Sequence, residues 1–550
     1  MAGGSPGGSG VGGQVAGRAW LFRHGIPLPV EEAHFALGMV RDLPRTMIPP
    51  GGAYDIQDYM TDQPGRLYKR GGTQFACSAL GGSEVLIVGI ACCEFPRDPR
   101  IVAIATDGAA ARGLYDITTG TPAARLDLGG RQPIENPPFV LQDQTGTKAM
   151  LIITDGYTHP TPVPMRATLS AGIGSAISVG QLAGGAAPGA RYSCMLGDSL
   201  VLANNDDHPN RLWFSAHGNP DNWNAGGTIG GSWVDTADAI TGLATVAGVL
   251  IVFHRQGAER LIVKNLLLPV WDPIPPATPP VLTPLSGAPG CIDARSIVHG
   301  NGLVYFAHES GIYYTNGSAA RSITTKPKGV GIASFWRQYV GDLDMSLGCV
   351  VAQGIYADDW LFTTVRHPSG VDFQLLCYLP TEAFVRTAPR IGCDMYATRR
   401  APNMAIYGAN GNISQPVRAL NLTGVLAPAY SLRNDANGEP VLPYLETRML
   451  GPGLGLKAYF DGYLSYDMRD GGDAPTLQLQ IATGLEADSG YAAVAESPLP
   501  PTSRSHRQRF TVSKDTNSVQ FALQQVNASS KTEIYAIDTS YHPYYAADGL

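Results

Sequence analysis

Four carboxylates stand as adjacent pairs, Asp206-Asp207 and Asp358-Asp359, each in a turn-like stretch. Neighbouring carboxylates can hold a cation, or divide into the general acid and base that a glycan hydrolase needs. Asp also favours turns for a local reason, because its side chain bonds nearby amides. We expect the turn role. Asp467, Asp470 and Asp473 in YDMRDGGDAP alternate loosely like a calcium loop. No Glu follows at the position an EF-hand requires, so a hairpin turn is expected there.

Histidine and cysteine are read the same way. The eleven His stand singly, at positions 24, 34, 159, 208, 217, 254, 299, 308, 367, 506 and 542. No two share a metal-ligand spacing on one element, so solvated or locally bonded rings are expected. His299 and His308 flank one predicted strand. The eight Cys are Cys77, Cys92, Cys93, Cys194, Cys291, Cys349, Cys377 and Cys393, with no CxxC pair. Most sit in apolar runs such as FQLLCYL and are expected to be small buried hydrophobes in a reducing compartment. Trp213, Trp223 and Trp233 recur every ten residues. Exposed rings could stack on sugars, but core and edge packing is the commoner use of Trp. Phosphate-binding GxxxxGK[ST], HExxH and GxSxG are all absent, and no cofactor is implied.

The elements that would position such residues are strands. Gly (66) and Pro (42) make up about a fifth of the 550 residues, and both break helices. Apolar residues reach 44%, and the net charge is only -7, which argues against disorder. The mild acidity argues against a strong electrostatic grip on nucleic acid. The longest clean apolar run, Ala247 to Phe253, is far short of a membrane span. The opening MAGGSPGGSGVGG has no basic residue before an apolar stretch, so no signal peptide is expected. Residues 1–13 read as a flexible Gly/Ser tail. Val30 to Val40 reads as a short helix, and residues 42–72 as an extended arm.

From about 75 to 445 one pattern returns: turn, apolar strand, turn, strand. Its clearest copy is GNGLVYFAHESGIYYTNG, residues 300–317, with strands at Leu303–Ala307 and Ile312–Thr315. Asn316-Gly317 closes it as a turn, since both residue types tolerate positive φ. The first strands of the copies start at Ile101, Ala149, Ser199, Val249, Leu303, Trp360 and Met404. The spacings are 48, 50, 50, 54, 57 and 44 residues. Units near 50 residues match a four-stranded propeller blade. The reading is therefore all-β: a β-propeller-like domain of about seven blades over 75–445, with an N-terminal arm over 1–74. The stretch 264–290 carries eight Pro and is expected as an extended loop between blades. From 446 to 550, apolar and polar residues alternate in TLQLQIATG, QRFTVSK, SVQFALQQV and EIYAIDTSY. That period predicts antiparallel strands with one buried face, a C-terminal β-sandwich.

Two stretches carry a family resemblance: DIQDYMTDQPGRLYKRGGTQF at 55–75, and RLWFSAHGNPDNWN at 211–224 with YFAHESGIYYTNG further on. Both, in this order, resemble the tail hub or nozzle proteins of short-tailed bacteriophages, over most of residues 50–420. The C-terminal part is similar in texture only. The resemblance implies a virion protein without an enzymatic step, made in the host cytoplasm. Six copies would form a ring below the portal and the head-tail adaptor, with tail fibre or needle proteins as further partners. Double-stranded DNA would be retained, then pass through the lumen unbound, and no membrane span is implied. A closed ring uses heterologous contacts, which extended arms can brace. Gly65, Lys69, Arg70, Gly71 and Gly72 would shape the arm's passage into the first blade. Arg211, Trp213, Gly218, Pro220 and Trp223 would fix a blade corner. A minor tail or receptor-binding propeller module, or a propeller-fold glycan hydrolase, are the alternatives.

Overall fold

A computed structural model describes residues 28–543 apart from a series of segments, the longest being 263–281 and 421–441. The protein is all-β, and the one α-helix among the described residues is Ala333–Val340. Two compact units divide the chain, residues 70–441 and a second made of residues 1–69 with 442–550.

The larger unit is a succession of antiparallel four-stranded meanders. Meander 1 holds Leu86–Cys93, Arg100–Thr106, Ala111–Asp116 and Leu126–Gly130. Meander 2 holds Phe139–Gln142, Lys148–Ile153, Met165–Ser170 and Ile177–Gln181. Meander 3 holds Tyr192–Leu196, Ser199–Ala203, Arg211–Phe214 and Ser232–Asp235. Meander 4 holds Ile240–Val246, Val249–His254, Gly257–Ile262 and Leu282–Pro284. Meander 5 holds Val298–Gly300, Leu303–His308, Gly311–Thr315 and Ala320–Ser322. Meander 6 holds Val350–Tyr356, Trp360–Arg366, Asp372–Tyr378 and Ala383–Thr387. Meander 7 holds Met395–Arg399, Ala405–Ala409 and Val417–Leu420, with Thr73–Phe75 as its fourth strand.

Six of the seven positions used to time the repeat lie in the second strand of meanders 1 to 6. Met404 falls outside the described residues, immediately before Ala405–Ala409. Second strands are apolar on both faces, as in Arg100–Thr106 and Ser199–Ala203, which are buried along their whole length. That is why they read so clearly: each packs between two neighbours.

Successive meanders share apolar cores. Val102 and Ile104 of meander 1 pack with Leu151 and Ala167 of meander 2. Ile152 of meander 2 meets Leu200 and Leu202 of meander 3. Phe214 then meets Leu250 and Val252, and Phe253 meets Phe306 with ring centroids 4.8 Å apart. The first strands of meanders 5 and 6 touch. Phe362 of meander 6 lies 6.3 Å from Tyr396 of meander 7. Met395, Ala397 and Tyr407 of meander 7 complete a core with Ile90, Ile101 and Tyr115 of meander 1. The succession of contacts returns to its start.

Three expectations are corrected here. Val30 to Val40 is not a helix: Leu28–Ala33 is a strand paired with Thr532–Pro543, and Gly38–Met39 pairs in parallel with Gly52–Gln57. A helix of that length is marginal alone, and strand partners outweigh it; Phe35, fully buried at φ +25°, also breaks the helical path. Residues 264–290 do not lie wholly between sheets. Leu282–Pro284 is the outer strand of meander 4, paired with Glu259–Leu261. Pro284 is tolerated because an outer strand has one edge without a partner strand. Finally, the described residues of the expected arm over 1–74 are built into sheets. Leu28–Ala33, Tyr59–Met60 and Leu67–Lys69 belong to a sheet with Lys457–Met468, Ser505–Thr516 and Thr532–Pro543.

A second sheet of that unit joins Gly38–Met39, Gly52–Gln57, Tyr444–Thr447, Val519–Gln525, Thr476–Thr483 and Ala492–Pro498. The C-terminal alternation does not mark a single buried face in Val519–Gln525: Val519, Phe521 and Leu523 are fully buried, but so are Gln520 and Ala522 between them, as are Ile56 and Leu445 on neighbouring strands. Arg45 binds Gln520 at 3.0 Å and Glu446 at 3.1 Å, and the guanidiniums of Arg41 and Arg45 each lie 4.1 Å from the ring centre of Tyr54.

Candidate functional site

The 211–224 stretch forms the third strand of meander 3 and the turn that follows. Arg211 donates from Nε to Asp235 Oδ1 at 2.6 Å and from Nη2 to Oδ2 at 3.0 Å, across to the fourth strand. Its guanidinium lies 3.9 Å from the ring centre of Trp233. The hydrogen bond from Arg211, against some burial, holds the Asp235 carboxyl below its ordinary range. Trp213 pairs in register with Trp233 and meets His208 edge-on. Gly218 takes φ +67° and donates its amide to Asp198 O at 3.0 Å, a backbone shape that favours glycine. Trp213 and Trp223 pack on the core shared by meanders 2 and 3. Pro220 is half-buried in the same turn. Arg166 of meander 2 binds Asp221 at 2.6 Å, tying the turn to the neighbouring sheet. These side chains therefore gather at one place, and the Trp rings are half-buried in packing.

The 55–75 stretch has another place. Lys69 ends a strand of the smaller unit and Arg70 begins the larger one, both buried. Gly72 is buried, and Gly65 and Gly71 lie outside the described residues. The chain then supplies Thr73–Phe75 to meander 7, not to the first sheet as the sequence reading has it. Local pattern cannot reveal this, because the partner strand Val417–Leu420 is more than 340 residues away.

The carboxylate pairs sit in turns. Ala357 and Asp358 both take positive φ, at +54° and +58°, between the first two strands of meander 6. Asp358 O accepts from Asn301 Nδ2 at 2.6 Å, and Asp359 O from Leu379 N at 2.7 Å. Asp206 binds Arg191 at 2.9 Å on the surface. The neighbouring Asn205 side chain accepts the amide of His208. Asp470 and Asp473 lie outside the described residues, and Asp467 is in the strand Lys457–Met468.

Among the described residues, no three His, Cys, Asp or Glu are grouped as a metal site. His254 is buried against Glu259 at 3.0 Å and Ala239 O at 3.1 Å. His308 accepts the amide of Ser310 at Nδ1, so its proton sits on Nε2, which is buried without a protein partner. Burial holds the His308 pKa below the ordinary value. Of the seven described cysteines six are buried, and burial pushes Cys93 and Cys291 up to about 12. Cys393 lies outside the described residues. Among the described residues no helix is long and apolar enough to cross a membrane.

One site escaped the sequence reading. A cavity of about 460 Å³ is lined by Cys92 and Glu94, Val140, Val298 and His299, Gln353 and Gly354, and Met395, Tyr396 and Thr398, with Arg295 and Ile297 beside them. Its lining lies on, or next to, the first strands of meanders 1, 2, 5, 6 and 7. These positions share no motif and no spacing, so only the periodic placement of first strands could have pointed to them.

Arg295 is held by Asp293, with Nη2 2.8 Å and Nε 2.9 Å from its oxygens, and both side chains are at most 9% exposed. Asp293 also accepts the amide of Val351 at 3.1 Å, joining the approach to meander 5 with meander 6. Thr398 donates its hydroxyl to Ile355 O at 2.5 Å. The Tyr396 hydroxyl is engaged by Gln374 at 2.6 Å and by Thr364.

No family model and no curated protein matches the chain. Among solved structures, an exo-β-1,3-galactanase from Phanerochaete chrysosporium with galactose superposes with a TM-score of 0.27. The identity is 10%, over 86% of this chain and 100% of that one. A likeness at that level carries no argument about fold or function.

Proposed function

We propose that this chain is a structural virion protein, the tail nozzle or hub of a short-tailed phage. Six copies form a ring below the portal and adaptor, hold the packaged DNA and conduct it during ejection. In this reading the seven meanders are the blades of a β-propeller, and the two-sheet unit is a β-sandwich. The observation that carries it is the place of the two resembling stretches. One is the passage between the two units and supplies the last strand of the last meander. The other packs one meander on the next through Trp213, Trp223 and Asp221. Residues spent on fold and connection suit a part that assembles. The slight acidity of the chain, net -7, suits a conduit that lets phosphate slide.

The glycan-hydrolase reading needs two carboxylates roughly 5–9.5 Å apart across a bond. The Asp206 carboxylate is paired with Arg191, Asp358 lies in a turn of positive φ, and the cavity lining holds the single carboxylate of Glu94. Electron microscopy of the purified full chain tests the proposal. A hollow ring of six copies is the expected result. A monomer at high concentration, or release of sugar from a glycan that Asp206→Asn or Asp358→Asn abolishes, would overturn it.

A further inference from the structure

The fourth, outer strands of the meanders differ in how their open edges are protected. Six of the seven end their sheets. An open edge offers unpaired N–H and C=O groups to any other strand, and a charge, a Pro, a bulge or shortness blunts it. Leu126–Gly130 is bulged, and Leu282–Pro284 carries Pro284. Ala320–Ser322 is three residues centred on Arg321, Thr73–Phe75 is three residues long, and Ser232–Asp235 is four residues ending in a carboxylate. Ile177–Gln181 has none of these devices. It has five residues, ISVGQ, without charge or Pro, in unbroken register with Met165–Ser170. The register also says which groups face outward. Leu182 N donates to Pro164 O at 2.8 Å, one step beyond the Met165–Gln181 pair. Antiparallel pairs alternate between bonded and unbonded kinds, so Ser178 and Gly180 spend their N–H and C=O groups on Thr168 and Arg166. Ile177, Val179 and Gln181 turn theirs to the open edge, and no strand lies beyond it.

Such an edge is complementary to itself. Turned about a two-fold axis through Val179, it sets Val179 opposite the partner's Val179, and Ile177 and Gln181 opposite the partner's Gln181 and Ile177. All three pairs are of the bonded kind, each exchanging two backbone hydrogen bonds. No like charges meet, whereas Ala320–Ser322 paired in this way would set Arg321 against its own copy. We propose that Ile177–Gln181 is a docking edge for a second copy of this chain, the two strands pairing antiparallel about Val179 so that two copies of meander 2 become one sheet. A two-fold contact is isologous, whereas a ring closes through heterologous ones. The pairing is therefore distinct from the contacts of the proposed ring and does not rest on it. Five residues a side bury little surface, so the contact is weak and depends on concentration.

Oxidative trapping of the full chain tests the register. Ser178 and the partner's Gly180 form a pair of the unbonded kind, with Cα atoms about 4.5 Å apart, within reach of a disulfide. A Cβ at Gly180 meets nothing within 4 Å, so Gly180→Cys fits the free chain. The double variant Ser178→Cys with Gly180→Cys should give a linked dimer on a non-reducing gel, formed much faster than in either single variant. Adding Val179→Pro removes an N–H that the pairing with Ala167 does not use, so meander 2 keeps its own ladder. Linking should then slow at least about tenfold, through the loss of a hydrogen bond on each side of the axis. Neither readout depends on how many copies form a ring. Linking of the double variant no faster than the singles overturns the proposal and leaves the edge to a strand of another protein. An unchanged linking rate after Val179→Pro, in a chain with the parent's melting curve, overturns it too.

Discussion

Removing Asp116 should destabilise the larger unit far more than its size suggests. Arg100 opens the second strand of meander 1, and its side chain is 2% exposed. It donates to Asp116 Oδ2 from Nε at 3.0 Å and from Nη2 at 2.5 Å, and from Nη1 to Ser170 O of meander 2 at 3.2 Å. Asp116 Oδ1 in turn accepts the amide of Thr118 at 3.0 Å and its hydroxyl. Asp116→Ala leaves a guanidinium buried with one carbonyl for company. Breaking a buried pair from one side costs about 3–5 kcal/mol, against a total stability of about 5–15 kcal/mol for a typical folded protein.

Replacing both partners, as Arg100→Met with Asp116→Leu, removes the stranded charge and should recover more than half of that loss. Guanidinium denaturation followed by tryptophan fluorescence measures all three chains. The pH dependence has a definite sign. Burial pushes the Asp116 carboxyl up, but Thr118 and Arg100 outweigh it, so the folded pKa is lowered. The unfolded value is about 3.9, so the contribution is complete above that pH and is lost as pH falls through the folded value. Asp116→Asn should therefore flatten the acid limb of stability below about pH 4. A loss under about 1 kcal/mol for Asp116→Ala, or a double variant as weak as the two singles summed, would refute the reasoning.

Two further outcomes follow from the same geometry. Gly290 takes φ +118°, and a Cβ there would lie 2.4 Å from Arg255 O, whereas Gly197 at φ +57° has nothing within 4 Å. Gly290→Ala should cost more than about 3 kcal/mol and Gly197→Ala about 1 kcal/mol, read from paired thermal melts; equal costs would sink the argument. For His308 the lowered pKa means that its contribution is complete above the unfolded value of about 6.5 and is lost as pH falls below it. Melting temperatures of the parent and His308→Gln chains should diverge between pH 7 and pH 5, and parallel curves would contradict the assignment.

Local chemistry alone made the repeat legible. Asn316-Gly317 and the Ala357-Asp358 turn reverse the chain through residues that occupy or tolerate positive φ. The apolar second strands between such turns are continuous because they are buried on both faces, so their spacing near 50 residues needs no partner to be seen. What joins distant parts of the chain was not legible. Leu28–Ala33 became a strand because Thr532–Pro543 pairs with it, against a pattern that reads as a helix. Thr73–Phe75 found its place only beside Val417–Leu420. Pro284 entered a strand because its position is the outer one. The cavity is the extreme case, since Cys92, Val140, His299, Gln353 and Met395 come from five meanders and share no local signal. Turns and burial periodicity are properties of neighbours in sequence and can be read there. Strand partners, and the space left where first strands meet, are properties of neighbours in space, and only the folded chain decides them.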